Sequence, residues 1–233
     1  MDAEPSAVAT LRDVSRHYAT TAGPVKALDG VTMDIRRGEV LAIAGPSGSG
    51  KSTLLGLVGA LDRPTGGEIC VEGRNLAQLS AREAAILRRD RIGFVFQAYN
   101  LVPVLTALEN VEYVMVLQGR SKTARQQRAR QILAEVGLGE LVDRRPGELS
   151  GGQQQRVAVA RALAAEPALI LADEPTANLD SATAAALLDM MVALNRQHGT
   201  TFVFSTHDPA VMQRADRVVH LRDGRISSEE RRS

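Results

Sequence analysis

The arrangement of apolar and polar residues changes within the first quarter of the chain. Within residues 9–35 apolar side chains alternate with polar ones, and this period of two predicts strands divided by a turn at Gly23-Pro24. Residues 40–44 are apolar without a break, as expected of a parallel strand covered on both faces, and residues 52–61 are typical of a helix. The pattern predicts an N-terminal antiparallel β subdomain followed by a strand–loop–helix unit.

Helix-length segments separate four further short apolar runs. Strands are predicted at these runs, which are residues 69–71, 93–96, 168–172 and 201–205. Alternation of strands with helices is typical of an α/β protein with a mostly parallel, doubly wound core sheet. The fold class predicted from the pattern is therefore α/β.

Residues that favour helices predominate in the middle of the chain. In residues 121–136 the apolar side chains of Ile132, Leu133 and Val136 share one side, while Arg and Gln occupy the other. This pattern predicts a helical subdomain over about residues 98–150.

Length and charge limit the possible classes of protein. The 233 residues, 44% of them hydrophobic, suffice for one core, so we expect a single domain over residues 1–233. Its polar tail, residues 227–233, is expected to be disordered. The 28 Lys and Arg nearly balance the 27 Asp and Glu, so the basic stripe that nucleic-acid binding requires is missing and no nucleic-acid partner is expected.

Three features predict a cytoplasmic protein. Cys70 is the single cysteine, so no intramolecular disulfide forms and a reducing compartment fits. The acidic N-terminus lacks the pattern of a secretory signal. The longest apolar stretch, residues 157–172, is broken by Arg161, Glu166 and Pro167, so the chain is not expected to span a membrane.

One glycine-rich segment carries the phosphate-loop pattern. The pattern is matched by Gly45-Pro46-Ser47-Gly48-Ser49-Gly50-Lys51-Ser52, between a predicted strand and a predicted helix. Its glycines let backbone N–H groups point at phosphates, Lys51 reaches the β- and γ-phosphates, and the Ser52 hydroxyl ligates Mg²⁺. The segment predicts ATP-like and Mg²⁺ ligands; a glycine-rich turn with an incidental Lys is the alternative.

Two carboxylates follow the buried run at residues 168–172. Asp173 and Glu174 stand at the carboxyl end of a predicted strand, where ligands bind in open α/β sheets. Asp173 is expected to hold Mg²⁺, and Glu174 to act as general base or to position the water that attacks the γ-phosphate. A solvated acid pair before Pro175 is the alternative.

Two further predicted strands also end in polar residues. Gln97 follows residues 93–96 and His207 follows the strand at residues 201–205, so four strand ends converge on one edge. A lone His is more often structural, but the polar residues at the other strand ends favour a functional role for His207.

A second phosphate-facing helix end is predicted in the signature segment, residues 149–153. Its sequence is Leu149-Ser150-Gly151-Gly152-Gln153, in which Ser150 and Gln153 match a capping box. The two glycines leave backbone N–H groups bare, which favours an anion, although a plain helix cap is the alternative. Because the chain already has a phosphate loop, the segment suggests that two copies grip each nucleotide.

Taken in order, these motifs resemble the ATP-binding cassette (ABC) family of P-loop NTPases over nearly the whole chain. The resemblance implies ATP and Mg²⁺ as cofactors and a catalytic role for Lys51, Gln97, Glu174 and His207. It assigns Mg²⁺ to Ser52, Gln97 and Asp173. It assigns nucleotide contacts to Tyr18, Gly45, Ser47, Gly48, Ser49, Gly50, Lys51, Ser52 and Thr53, and across a dimer to Ser150, Gly151, Gly152 and Gln153.

The resemblance also implies partners. Cassettes of this family pair head to tail around ATP and drive an integral-membrane permease on another chain, so a homodimer on the inner face of the cell membrane is expected. Residues 177–180 match the loop through which the two sites communicate. Tyr18 matches the aromatic residue that stacks on adenine, with a core tyrosine as the alternative.

Three longer stretches, residues 61–67, 93–111 and 205–226, are similar to the lipoprotein-release and macrolide-export (MacB/LolD-type) branch. That branch implies export or extracytoplasmic release of a lipoprotein, peptide or antibiotic. The stretches also resemble cell-division and bacitracin-type resistance cassettes, so regulation of a membrane complex that controls cell-wall hydrolases is the alternative. A DNA-repair cassette would carry a coiled-coil insertion between Ser52 and Leu149, which this sequence lacks.

Overall fold

The computed structural model describes residues 7–21 and 23–231. Its strands are β1 (Ala7–Thr20), β2 (Gly23–Arg36), β3 (Val40–Ala44), β4 (Gly66–Val71), β5 (Arg74–Asn75), β6 (Ile92–Phe96), β7 (Leu169–Asp173), β8 (Thr201–Thr206), β9 (Arg217–Arg222) and β10 (Arg225–Arg231). Its α-helices are α1 (Lys51–Val58), α2 (Ala81–Arg91), α3 (Ala107–Leu117), α4 (Lys122–Glu135), α5 (Gly151–Ala164), α6 (Ser181–His198) and α7 (Pro209–Arg214).

The first strands form an antiparallel sheet in the order β2-β1-β4-β5, as predicted for this part of the chain. The position of the predicted turn is wrong. Gly23 pairs with Thr20 and Pro24 with Ala19, so both residues belong to β2 and the chain reverses before them. Proline is tolerated there because β2 is an edge strand, in which a missing N–H breaks no ladder.

The run at residues 69–71 also belongs to this sheet and not to the parallel core, contrary to the sequence interpretation. It lies in β4, where Ile69 is opposite Leu11 and Val71 is opposite Ala9 in antiparallel register. The run is too short for its periodicity to distinguish the two kinds of sheet. The antiparallel sheet is therefore larger than its N-terminal hairpin.

The core sheet is mostly parallel, which confirms the predicted fold class. Its order is β10-β9-β3-β8-β7-β6, with β9 to β6 all parallel and β10 antiparallel to β9. Nearly every side chain of β3, β7 and β8 is buried, as expected of strands covered on both faces. Because these strands run the same way, their carboxyl ends lie along one edge.

The polar end of the chain is a strand up to Arg231, so the prediction of disorder from residue 227 is wrong for the described part. β10 pairs with β9 along its length, and the Glu229 carboxylate lies 3.4 Å from Nη1 of Arg217. The β10 side chains are mostly exposed, so backbone pairing holds this edge strand and no apolar alternation marks it. Residues 232 and 233 lie outside the described residues.

Helices α3 and α4 lie in the segment predicted to be helical. Ser121 caps α4, and the predicted apolar side, Ile132, Leu133 and Val136, is buried. Helix α2 lies in the helix-length segment between the predicted strands at residues 69–71 and 93–96; Leu87 alone among its side chains is buried, so no apolar stripe marks its bounds in the sequence. Within residues 7–21 and 23–231, no helix has the length and apolar character needed to cross a membrane.

A partly buried carboxylate joins the antiparallel sheet to helix α2. Glu72, just after β4, accepts hydrogen bonds from Arg91 at the end of α2 and forms an ion pair with Arg37 after β2. Burial raises the pKa of the Glu72 carboxyl, but the hydrogen bonds from Arg91 and Arg37 outweigh it, and the pKa lies below its ordinary value. The ionised carboxylate therefore stabilises the fold.

We predict that Glu72→Gln lowers the free energy of unfolding at neutral pH by about 1–2 kcal/mol. Because the folded-state pKa is depressed, the difference from wild type is fully present above the unfolded pKa and disappears as pH falls through the folded-state pKa. Urea unfolding at pH 7 and at acidic pH measures it, with the exposed Glu140→Gln as control. A difference that does not shrink in acid would contradict the assignment.

Candidate active site

Four strand ends of the core sheet meet at one cavity of about 460 Å³. Residues after β3, β6, β7 and β8 line it, as the sequence predicted. The predicted site residues in its wall are Ser47, Gly48, Gly50, Lys51, Ser52, Thr53, Gln97, Glu174 and His207. Val25, Lys26 and Ala27 of β2 close one side.

In the loop from Gly45 to Gly50, a side chain larger than hydrogen would clash at both Gly45 and Gly50. A Cβ at Gly45 would overlap the Leu221 carbonyl oxygen of β9, and one at Gly50 would overlap the Ala27 carbonyl oxygen of β2. Gly50 also has a left-handed φ of 104° as the N-cap of α1. Within the described residues no side chain caps α1, so the N–H groups of its first turn remain available to an anion.

Two polar groups inside the loop are arranged for a ligand. The Lys51 side chain is 7% exposed, and its Nζ donates to the carbonyl oxygens of Gly45 at 2.8 Å and Pro46 at 3.0 Å. The buried Ser49 Oγ has no hydrogen-bond partner among the described residues. A buried ammonium and an unpartnered hydroxyl beside bare N–H groups fit the phosphates of a nucleotide.

Oxygen donors cluster beside the loop. Ser52 Oγ donates to Oδ1 of Asp173 at 3.1 Å, and the Ser205 hydroxyl donates to the same oxygen. Within the described residues, no group of three or more His, Cys, Asp or Glu side chains is placed to hold a metal. Hydroxyl, carboxylate and amide oxygens completed by phosphate and water suit Mg²⁺, so the residues present fit this ion.

Glu174 and His207 form a pair at the mouth of the cavity. Oε1 of Glu174 lies 3.0 Å from Nδ1 of His207 and 3.9 Å from Nζ of Lys51. The Glu174 side chain is 19% exposed and that of His207 is 70% exposed. Glu174 has a left-handed φ of 45°, and its N–H donates to the Ser205 carbonyl at 3.1 Å. Such strain at a carboxylate is typical of functional sites.

Gln97 is joined to the loop that follows β7. Its Nε2 donates to Oδ1 of Asn178 at 3.3 Å, and Nδ2 of Asn178 donates to the Gln97 carbonyl at 3.0 Å. Asp180 of the same loop caps α6 by accepting from the N–H groups of Ala182 and Thr183. The segment at residues 177–180 therefore contacts Gln97 directly.

The signature segment lies away from this cavity. Ser150 caps α5, with Gln153 N–H donating to Ser150 Oγ and Oε1 of Gln153 accepting from Ser150 N–H. A Cβ at Gly152 would lie 2.5 Å from the Thr183 methyl group, and one at Gly151 would lie 2.9 Å from the Tyr99 hydroxyl. None of the residues 150–153 lines the cavity that holds the phosphate loop.

Tyr18 is at the rim of the cavity without lining it. The residue is opposite Val25 in the β1–β2 register, and Val25 does line the cavity. The Tyr18 side chain is about one-third exposed, which differs from a buried core tyrosine. Its assignment to adenine remains a prediction.

Gln155 of α5 supports the site and was missed in the sequence. Its side chain is fully buried, and Nε2 donates to the carbonyls of Phe96 at 3.3 Å and Pro175 at 2.7 Å, next to Gln97 and Glu174. The sequence signal that could have identified Gln155 is its position on the apolar face of α5, which also carries Val159 and Ala162.

Arg161 of α5 is a second supporting residue that the sequence interpretation treated as an interruption. Its guanidinium donates to the carbonyls of Tyr99 and Asn100, which both have left-handed φ angles, 58° and 51°. Burial lowers the pKa of Arg161, and within the described residues no carboxylate pairs with it. The strained turn after Gln97 is therefore held by a charge that has only carbonyl partners.

Comparison with known proteins gives a family and several relatives. A family model described as "ABC transporter" matches residues 28–177. Macrolide export ATP-binding/permease protein MacB of Hyphomonas neptunium is 49% identical over 219 residues, covering 94% of this chain and 34% of that protein. Lipoprotein-releasing system ATP-binding protein LolD 2 of Caulobacter vibrioides is 44% identical, covering 94% of this chain and 96% of that protein.

A solved relative has the same architecture. The dimeric post-hydrolysis structure of the ATP-binding cassette MJ0796 of Methanocaldococcus jannaschii, bound to ADP and Pi, has a TM-score of 0.89 and 43% identity to this chain. The alignment covers 97% of this chain and 99% of that one. The chain thus spans about a third of the length of MacB and nearly all of LolD 2 and MJ0796.

We predict that Arg161→Met lowers kcat for ATP hydrolysis about 10- to 100-fold, because the turn that carries Gln97 loses two hydrogen bonds and relaxes. ADP affinity should stay near that of wild type, because Arg161 does not line the cavity. Steady-state ATPase assays and calorimetry measure the two quantities. Arg156→Met is the control, since Arg156 on the same helix donates instead to the Val136 carbonyl. A folded Arg161→Met variant with unchanged kcat would show that the turn needs no support.

Proposed function

Because this chain belongs to the ABC transporter family and is an ABC ATPase, we propose that it dimerises around two ATP molecules and drives a separate integral-membrane permease. The observation that carries the proposal is the division of the site. The phosphate loop, Lys51 and the Glu174–His207 pair share one cavity, whereas the signature segment faces elsewhere. Such a chain can bind ATP alone but needs a second copy to enclose it.

The phosphate loop binds the triphosphate in this proposal. The N–H groups of the first turn of α1 donate to the phosphate oxygens, and Lys51 turns from the Gly45 and Pro46 carbonyls to the β- and γ-phosphates. Ser52, Asp173 and Gln97 would hold Mg²⁺, which when bound supplies positive charge that offsets the charge of the phosphates. Thr53 follows Ser52 in the first turn of α1 and lines the same cavity.

Hydrolysis requires a water molecule in line with the γ-phosphate, and Glu174 is the group that positions it. The carboxylate accepts a proton from the water as its oxygen attacks phosphorus, and the bond between phosphorus and the bridging oxygen of ADP breaks. His207 shares a hydrogen bond with Glu174 and presents its other ring nitrogen to the γ-phosphate. The His207 side chain is 70% exposed in the single chain, so it is open to contact with a second copy.

A second copy supplies the signature segment. Ser150, Gly151, Gly152 and Gln153 form the N-terminus of α5. The N–H groups of Ser150 and Gln153 are used within the capping box, so the N–H groups of Gly151 and Gly152 and the side chains of Ser150 and Gln153 would face the γ-phosphate bound to the partner copy in a head-to-tail homodimer. The dimeric form of MJ0796 with ADP and Pi supports this arrangement. The loop containing Asn178 and Asp180 lies between Gln97 and α6, where it can transmit the state of one site to the other.

The permease is proposed to dock in a groove of about 390 Å³ next to Gln97, here called the coupling groove. Its walls come from α2, β6, α3 and α5, and its apolar part includes Leu61, Phe94, Phe96 and Val114. Leu61 lines the groove and is 55% exposed, so it presents apolar surface to solvent there. Arg161 reaches from this groove to the turn after Gln97, so docking and the ATP site share one support.

The names of relatives support a proposed branch of the family. MacB is described as a macrolide export protein and LolD 2 as part of a lipoprotein-releasing system. We propose that this chain likewise powers export or extracytoplasmic release of a lipoprotein, peptide or antibiotic, as a cytoplasmic subunit on the inner face of the membrane. Control of a membrane complex that activates cell-wall hydrolases is the second candidate, since it would need the same cassette.

The site and the domain boundaries belong to the same proposal. We propose one ATP-binding domain over residues 1–233, with a helical subdomain at about residues 98–150 that contains α3 and α4 and contributes Val114 of α3 to the coupling groove. No role for nucleic acid is proposed, because the charges of the chain nearly balance.

Co-purification from native membranes tests the permease. Tagged chain carrying Glu174→Gln, solubilised with ATP present, should recover an integral-membrane permease, identified by mass spectrometry. Adding Leu61→Glu should reduce the recovery at least about tenfold, because a charge then enters an apolar contact.

The matched control is Ile86→Glu, which changes an exposed apolar residue of α2 that lines a different cavity. It should leave recovery unchanged. Recovery of soluble proteins alone by a chain shown to bind ATP would contradict the transporter assignment. Equal recovery by the Leu61→Glu and Ile86→Glu variants would place the permease contact outside the coupling groove.

A further inference from the structure

Asp62 belongs to the stretch at residues 61–67 and has no part in the hydrolytic machinery described above. Its Oδ2 accepts a hydrogen bond from the Tyr18 hydroxyl at 2.9 Å and lies 2.9 Å from Nε of Arg16. Its Oδ1 accepts from the Arg63 N–H at 2.7 Å. The carboxylate is therefore fixed by three neighbours and joins the start of the segment after α1 to strand β1.

The Asp62 carboxylate remains charged in this setting. Burial raises the pKa of Asp62, but the hydrogen bonds from the Arg63 N–H and the Tyr18 hydroxyl, together with the charge of Arg16, outweigh it. The pKa therefore lies below its ordinary value. A charged acceptor makes the bond from the Tyr18 hydroxyl stronger than a bond between neutral groups.

Arg16 holds the same tyrosine from a second direction. It is two residues before Tyr18 on β1, and its guanidinium carbon lies 4.4 Å from the centroid of the Tyr18 ring. This distance is that of a cation–π contact on one ring face. In the part of the chain that the structure describes, no aromatic ring stacks on Tyr18.

Strand β2 connects the position of Tyr18 to the phosphate loop. The Ala27 carbonyl packs against Gly50 of the loop, and Val25 lies two residues away along β2, about 7 Å. Val25 lines the cavity and is directly opposite Tyr18 in the antiparallel register. Directly opposite residues share a face of the sheet, so the ring borders the end of the cavity away from Lys51.

We propose that Arg16 and Asp62 are positioning residues for Tyr18, holding its ring by one face and by its hydroxyl so that the other face stacks on the base of the bound nucleotide. The inference rests on the proposed function, in which Tyr18 binds adenine. A ring fixed before binding loses less freedom when the base arrives, which strengthens stacking. Neither residue lines the cavity, so the chemistry at the γ-phosphate is unaffected.

ADP binding tests the inference because ADP carries the base and is not hydrolysed. Isothermal titration calorimetry should show ADP binding weakened about threefold to tenfold by Asp62→Asn and by Arg16→Met, and about tenfold or more by Tyr18→Ala. Arg16→Lys keeps the cation and should stay closer to wild type. In a Tyr18→Ala background, Asp62→Asn and Arg16→Met should weaken binding no further, because the ring they hold is gone.

Arg12→Met is the matched control. It removes an ion pair of the same kind from the same strand, since Nη1 of Arg12 lies 2.6 Å from Oδ1 of Asp34, and it should leave ADP affinity unchanged. Tyr18→Phe removes the hydroxyl alone and tests the bond to Asp62 if Asp62→Asn fails to fold. Its affinity should fall to about that expected for Asp62→Asn.

The outcomes separate the inference from the proposal on which it rests. If Tyr18→Ala weakens ADP binding while Asp62→Asn and Arg16→Met do not, the positioning role is overturned and the adenine assignment stands. If Asp62→Asn weakens binding equally in the Tyr18→Ala background, Asp62 acts elsewhere and the inference is overturned. Unchanged ADP affinity in Tyr18→Ala would overturn the adenine assignment itself.

Discussion

Close packing of the phosphate loop against β2 and β9 fixes the position of its backbone, and the rest of the site depends on that position. Carbonyl oxygens of β2 and β9 occupy the space that a Cβ would need at Gly50 and Gly45. These contacts fix where the N–H groups of α1 point, and they leave Lys51 buried against the carbonyls of its own loop. A parallel sheet provides this arrangement because its central strand, β3, delivers the loop to the same edge as three other strand ends.

Helix α5 connects this edge to the surface that a second copy would contact. It begins at the signature segment and carries two polar side chains, Gln155 and Arg161, to the carbonyls on either side of Gln97 and to the carbonyl after Glu174. The bond to the Pro175 carbonyl is buried and those to the Phe96 and Tyr99 carbonyls are partly buried, so a shift of the helix would break them or move the turns they hold. In the proposed mechanism, helix α5 therefore links three places: the nucleotide bound to the partner copy, the coupling groove and Glu174.

The parts of the molecule that the sequence predicts are those encoded locally. The strand before Gly45 and the acids after β7 were predictable because a buried run and a motif stand side by side. The sequence did not predict β10, whose exposed side chains carry no apolar period, or the position of the turn before Gly23. The roles of Gln155 and Arg161 depend on carbonyls about sixty residues away in the chain, and local patterns carry no information about such contacts.

A similar limit applies to Tyr18. The family resemblance implies that Tyr18 stacks on adenine, but its contacts with Arg16 and Asp62 arise because the segment after α1 returns to β1, which a local pattern does not show. The sequence contains two helix N-termini suited to phosphate, one after the phosphate loop and one at the signature segment. Their presence suggested that the site is divided between two copies of the chain. The structure places these ends apart, with the signature segment outside the cavity that contains Lys51.

The central claim is that Glu174 acts in a site that two copies complete, and sedimentation of the Glu174→Gln variant with ATP tests it most directly. The account predicts that turnover falls at least about a hundredfold while ATP remains bound, and that the chain sediments as a dimer. Hydrolysis at the wild-type rate would show that Glu174 is not the base. A variant that holds ATP but sediments as a monomer would show that one copy completes the site.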